Sequence, residues 1–409
     1  MRDKPYCKAP WIGMVYEGTT GCKPCCEFQG SDSISNAIQS DPIYDRTTMP
    51  WGFQGTHTEY VKSDYLKDFK KMMYDDEMNE GCRQCIDHET LNPRGGLSRR
   101  QKFMKYEINE HGDNKIVRFD YRAGNKCNLS CRMCHPESSS MREEEEIKHG
   151  NLTAIYRVLP NTNDVYDIDL SGCESLSILG GEPSIDLDVR KWIDHIQDLD
   201  VIARITTNAT NTSKKWFDTL KKLKKPKILL SIDGTGAAQE FQRKGSVWAD
   251  IKPNILKYKD EFEDITIEIT ASAINFTIID TWWDEMMELD VPLFSSAVTF
   301  PIEYNLSAIQ DEIKETQVIW LKKWIEKNST GNMLTAQELR EITDYDEWIA
   351  NKSSRQVHET QEAIKILQSY PYNRENNKKF KEATKTMDGW RNENISELHQ
   401  RFKEIMNEK

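Results

Sequence analysis

The chain has 409 residues, of which 37% are hydrophobic and 30% charged, and a formal net charge of -12. That length exceeds one ordinary domain and points to a catalytic domain with appended pieces, while the acidic balance argues against a nucleic-acid partner. No run of roughly 18 apolar residues occurs and no apolar secretory core follows Met1, so the expectation is a cytoplasmic protein without a membrane segment.

The first region, 1–105, holds Cys7, Cys22, Cys25, Cys26, Cys82 and Cys85 among turn-rich stretches at 18–21 and 50–52. Its one clear helix is expected over 63–79, where Leu66, Phe69, Met72 and Met73 recur at helical spacing. The second region, 106–303, alternates short apolar runs with amphipathic stretches. Strands are expected at 116–121, 175–179, 201–206, 227–232, 265–271 and 292–298, with crossover helices such as 189–199 and 216–223 between them. Six such units predict an α/β fold, a partial (βα)6 TIM-like barrel or an open sheet.

The third region, 304–409, is polar and helical, with capping-box patterns Ser307-x-x-Gln310 and Thr335-x-x-Glu338 opening two helices. Its Trp320, Trp324, Leu339, Ile342, Trp348 and Ile349 read as core that packs on the barrel. A third box, Ser140-x-x-Glu143, opens a helix after the central cysteines, and the acidic run 143–146 reads as its solvated start.

Ten cysteines in a reducing compartment point to metal and not to disulfides, since eight of them fall in three tight groups. The segment Asn125-Lys-Cys127-Asn-Leu-Ser-Cys131-Arg-Met-Cys134-His-Pro136 follows the first barrel strand, at the end where βα barrels carry their catalytic loops. Three thiolates ligate three irons of a cubane cluster and leave the fourth open, whereas a structural zinc needs a fourth protein ligand. Cys173 is solitary and reads as a small buried hydrophobe, and His135 as a capping or exposed residue.

With Gly180-Gly-Glu-Pro183 after the second strand, the Cys-x3-Cys-x2-Cys motif resembles the radical S-adenosylmethionine (SAM) superfamily. The resemblance implies a 4Fe-4S cluster on Cys127, Cys131 and Cys134. It also implies SAM held near Gly180, Gly181, Glu182 and Pro183, with Glu182 pairing the ammonium and the glycines letting backbone approach the ligand. By the same resemblance Asn208, Ser231 and Asp233, at the ends of the third and fourth strands, contact the ribose and methionine parts of SAM, although each alone reads equally as a turn residue. Met133 stands where the family often has an aromatic residue. The implied activity is reductive cleavage of SAM to a 5′-deoxyadenosyl radical that takes hydrogen from a substrate, with a low-potential flavodoxin- or ferredoxin-like electron donor. The substrate is expected to be a peptide, a protein or a small molecule. The alternative is a non-catalytic iron-sulfur or zinc binding or sensor protein.

The N-terminal cysteines resemble a SPASM/twitch module, which carries an auxiliary 4Fe-4S cluster, although here the motifs precede the barrel instead of following it. The resemblance implies Cys7, Cys25, Cys82 and Cys85 as ligands, with Cys22 and Cys26 as spares or substitutes. Zinc remains open at this site, because four cysteines serve both metals.

Overall fold

The computed structural model describes residues 6–17, 21–28, 53, 55–75, 82, 85–86, 89–90, 98–152, 164–331, 333–342, 347 and 350–407. Two compact units result: 1–128, 135–206 and 213–227 form one, and 129–134, 207–212 and 228–409 the other. The fold is α/β, with one mostly parallel eight-stranded sheet in the order β10-β9-β7-β6-β5-β3-β1-β2 and a separate ladder β4-β8.

In the first unit, β1 (Gly13–Glu17) pairs with β2 (Gly21–Lys23) in antiparallel fashion and with β3 (Arg118–Arg122) in parallel. Strand β3 continues in parallel to β5 (Ser175–Leu179), which pairs with β6 (Ile202–Thr207). The crossover helix Leu187–Ile196 shows why these segments fold as they do. Val189, Trp192, Ile193 and Ile196 return at helical spacing and are buried, and the Asp186 side chain caps its start. Trp192 stacks on Tyr121 of β3 with ring centroids 4.3 Å apart.

The second unit holds β7 (Lys225–Ser231) from residue 228 on, β9 (Ile265–Ala271) and β10 (Leu293–Ala297), all parallel. In β9 the β-branched residues alternate buried and half-buried, the period of a strand with one face in the core. The ladder joins β4 (Ser130–Cys131) to β8 (Arg243–Lys244). Helices Asp311–Asn328, Lys352–Gln368 and Arg374–Arg391 complete this unit, with Val318, Leu321, Trp324, Ile366 and Phe380 in its core.

All six expected barrel strands are present, with ends shifted by at most two residues. Strands β1 and β2 were not expected; GMVYE is buried along its whole length, so it lacks the alternation that marks a half-exposed strand. The helix expected at 63–79 is Asp64–Tyr74, capped by Ser63 and preceded by His57–Lys62 with its own Thr56–Glu59 capping box. Ser307 opens no long helix: it sits in the short turn Leu306–Ala308, and the following helix starts at Asp311 after Gln310. The Thr335–Glu338 box is present. Leu339 is buried, while Trp320 and Ile342 are half-buried. Residues 18–20, 50–52 and 76–79, Trp348 and Ile349 lie outside the described residues.

Candidate active site and metal centres

The chain segment after β3 folds against the segment after β5 through backbone groups. Gly181 N donates to Gly124 O at 2.9 Å and Glu182 N donates to Lys126 O at 2.7 Å. A Cβ on Gly181 would stand 2.1 Å from Lys126 O, and one on Gly180, where φ is +129°, 2.8 Å from Gly124 O. The two glycines are therefore demanded by the close approach of the cysteine loop itself. This adds a second partner to the ligand approach expected from sequence. The Glu182 side chain is buried at 2% exposure, and its Oε1 accepts from Ser184 N at 3.0 Å, capping the turn Pro183–Ile185.

Cys127 is fastened by the helix that follows. Ser140 Oγ accepts from Cys127 N at 3.1 Å, and Ser140 N donates to Asn125 O at 2.6 Å. Asn125 Nδ2 donates to Glu143 Oε2 at 2.7 Å and to Pro136 O at 2.8 Å. With its hydroxyl committed to the loop, Ser140 does not cap the helix. The cap is Ser139, whose side chain accepts from Arg142 N, which corrects the expected box by one residue.

In the second unit Cys131 lies on β4 directly opposite Arg243 on β8, and Cys134 N donates to Cys131 O at 3.1 Å. Asp233 is fully buried. Its Oδ1 accepts from Thr270 N at 2.8 Å and its Oδ2 from Arg243 Nε at 2.5 Å. Both carboxylate oxygens thus hold protein groups, and Asp233 orients Arg243. Burial opposes the charge of Arg243, but Asp233 and the Cys131 and Cys134 thiols outweigh it and hold its pKa above the usual range. Asn208 Oδ1 accepts from Thr210 N at 3.1 Å in a local turn, and the next residue, Ala209, takes φ 60° although it is not glycine. Ser231 is half-buried at the end of β7.

Cys7, Cys25, Cys82 and Cys85 line one cavity of the first unit, together with Phe28, Phe69, Arg99 and Arg100. Burial pushes the thiols of Cys7 and Cys82 up to about 12, and raises Cys25 and Cys85 as well, with Cys7, Cys25 and Cys82 also feeling others of the group. Cys22 and Cys26 do not line this cavity. Cys22 Sγ donates to Gly55 O at 3.9 Å, and Cys26 is coupled after burial to Asp120 and Arg99. Among the described residues no group of three or more His, Cys, Asp or Glu side chains is arranged to hold a metal ion. Cys173 is half-buried and donates to Ser175 O at 3.4 Å, a structural role.

Sequence reasoning missed Arg132 and Arg243. Arg132 sits inside the cysteine motif, but only burial shows that its charge needs partners. Arg243 carries no local sequence signal at all, because the strand pairing that brings it to Cys131 spans more than a hundred residues.

Among the described residues no helix is long and apolar enough to cross a membrane. No curated protein matches the chain. Among solved structures it is similar to native anSMEcpe with bound AdoMet and Kp18Cys peptide, at 16% identity over 51% of this chain and 60% of that one, TM-score 0.39. It is also similar to SuiB of Streptococcus suis bound to the precursor peptide SuiA, at 14% identity over 73% of this chain and 57% of that one, TM-score 0.37. The chain thus spans about three fifths of the length of these structures. Residues 121–289, which carry the three-cysteine motif, Gly180–Pro183 and strands β5 to β9, match the model of the Radical SAM superfamily.

Proposed function

We propose that this protein is a radical SAM enzyme, with a 4Fe-4S cluster on Cys127, Cys131 and Cys134 and SAM held beside Gly180, Gly181, Glu182 and Pro183. The observation that carries the reading is the backbone pairing of Glu182 with Lys126, which ties the Gly-Gly-Glu-Pro turn to the cysteine loop one residue before Cys127. The donor set fits the cluster: three thiols, no fourth protein ligand in the motif, and glycines that leave backbone groups accessible. When bound, such a cluster supplies the electron that cleaves SAM reductively to methionine and a 5′-deoxyadenosyl radical, which takes hydrogen from the substrate.

The chain's own residues do the positioning. Glu182 offers a carboxylate to the SAM ammonium, and its backbone fixes the cysteine loop. Asn208 and Ser231 present polar groups at strand ends, and Asp233 acts by aiming Arg243. The substrate is a peptide, a protein or a small molecule, and the electron comes from a flavodoxin- or ferredoxin-like donor in the cytoplasm.

The N-terminal cavity is proposed as a SPASM/twitch-like auxiliary 4Fe-4S site on Cys7, Cys25, Cys82 and Cys85. Its surroundings fit a sulfur-rich group. The hydroxyls of Tyr60 and Tyr65 are buried with no hydrogen-bond partner among the described residues, and both rings are electrostatically coupled to Cys25. A bound cluster offers sulfur acceptors to such donors, and Arg99 and Arg100 offset its negative charge. Zinc is the competing metal, since the same four thiols suit it.

Anaerobic reconstitution with iron and sulfide tests the whole reading. About eight irons per chain and reductant-dependent formation of 5′-deoxyadenosine are expected. Bound zinc with no iron and no SAM cleavage would mean a non-catalytic binding protein.

A further inference from the structure

We infer that the C-terminal segment 388–393 is a strap that positions the cluster-binding loop, with Arg132 as the residue it grips. The inference rests on the reading of Cys131 and Cys134 as cluster ligands.

Residues Leu129–Cys134 are compact with the second unit and not with the residues on either side of them. The bonds explain why. Arg132 is 1% exposed, and a buried guanidinium is tolerated only when its charge is matched. Its Nη2 donates to Asp388 Oδ1 and to Glu393 Oε2, both at 2.6 Å. Its Nε donates to Phe241 O at 3.2 Å, and its guanidinium carbon lies 3.8 Å from the centroid of the Phe241 ring. At the last residue of the helix, two before Glu393, the grip runs the other way: Arg391 Nη2 donates to Ser130 O at 2.7 Å and to Ser130 Oγ at 3.0 Å.

Glu393 binds a second cation, Lys244, which pairs with Ser130 across the β4-β8 ladder. The helix Arg374–Arg391 ends at Asn392 in the left-handed conformation, with φ 52°, and this turn brings Glu393 back toward the loop. Asp388 Oδ2 meanwhile accepts from Ile395 N at 2.7 Å, so the strap is itself braced. Residues more than 250 positions away thus hold the neighbours of Cys131 on both sides, Ser130 through its carbonyl and hydroxyl and Arg132 through its guanidinium.

A loop that must present two thiolates to one cluster gains from being rigid before the metal arrives, because ligands held by packed and paired neighbours are already oriented. Asp388, Glu393 and Arg132 are positioning residues in this sense, since none of them supplies a ligand.

The test uses the full chain carrying Asp388→Asn with Glu393→Gln, which keep shape and remove charge. In metal-free protein, alkylation of each cysteine by iodoacetamide is followed by mass spectrometry. The strap predicts that Cys131 and Cys134 react at least about fivefold faster while Cys127 and the N-terminal cysteines keep their rates, because loop opening is local. In the reconstituted enzyme the electron paramagnetic resonance spectrum of the reduced barrel cluster and its change on adding SAM should alter. The kcat for SAM cleavage should fall roughly tenfold to hundredfold, the cost of misplacing reacting groups by about 1 Å.

Unchanged alkylation rates and spectrum overturn the strap, and so does equal acceleration at all ten cysteines, which marks general loosening. If the double variant does not fold, Glu393→Gln alone and Arg132→Lys are read by the same alkylation pattern. Local acceleration in a wild-type background that never cleaves SAM would leave the strap standing and remove the proposed function.

Discussion

The amide of Glu182 donates to the carbonyl of Lys126 at 2.7 Å, and the Gly181 position beside it leaves 2.1 Å between a built Cβ and that same carbonyl oxygen. No side chain longer than hydrogen fits there without moving backbone. Gly181→Ala is therefore expected to force the two loops apart, at a cost of about 1–3 kcal/mol in stability. Thermal unfolding and iron content should both fall. A variant with wild-type iron and melting temperature would show that the loops have slack.

Glu182 caps the turn at Ser184 and is proposed to hold SAM, and two variants separate these roles. Glu182→Gln keeps an oxygen for Ser184 N but loses the charge offered to SAM, while Glu182→Ala loses both. Both should weaken SAM binding roughly tenfold to hundredfold, the usual worth of a hydrogen bond to a charged group. Iron content should hold in Glu182→Gln. SAM titration of reconstituted protein measures the first, and iron analysis the second; equal iron loss in both variants would mean the carboxylate acts on the loop.

At the N-terminal cavity, the cysteines divide by location. Combined replacement of Cys7, Cys25, Cys82 and Cys85 by Ala should remove about four irons per chain, whereas Cys22→Ala and Cys26→Ala should remove none. Tyr60→Phe with Tyr65→Phe should leave the iron count unchanged and lower the reduction potential of the auxiliary cluster, since hydrogen bonds to sulfur stabilise its reduced form. Potentiometric titration reads the shift, and an unaltered potential would remove the phenols from the cluster's surroundings.

Stability should also carry a pH signature from Glu359, which is buried beside Arg355 and accepts from Leu293 N. Burial pushes its carboxyl up to about 7 from an ordinary 4.5, against the pull of Arg355. The folded protein therefore binds a proton that the unfolded chain releases, so the contribution is complete below pH 4.5 and is lost as pH rises through 7. Glu359→Gln, which mimics the protonated form, should flatten the fall in denaturation midpoint across that window. A variant with the same pH profile as wild type would assign the dependence to other groups.

Much of the parallel sheet and its crossover helices was legible from residues in a row. The strand segments such as 265–271 advertise themselves by β-branched alternation, and the helix 187–196 by its apolar stripe, because these periodicities depend only on local geometry. The cysteine triad and Gly180–Pro183 could be read from their spacing. What misled was equally local. Ser140 has the pattern of a cap, yet its hydroxyl is drawn off to Cys127, and Ser307 has the same pattern in a segment that turns before the helix can start.

The sequence by itself determined the parallel α/β core and the groups of thiols, since short-range spacing sets both. Only the tertiary structure decided which of the N-terminal cysteines share a cavity, that β1 joins the sheet beside β3, that Asp233 spends both oxygens on the protein, and that Arg132 is gripped from residues 388 and 393. The physical reason is common to all four. Whether a charge, a thiol or a strand edge is satisfied depends on partners brought together by long-range folding, and a buried polar group has no fixed sequence distance to the group that balances it.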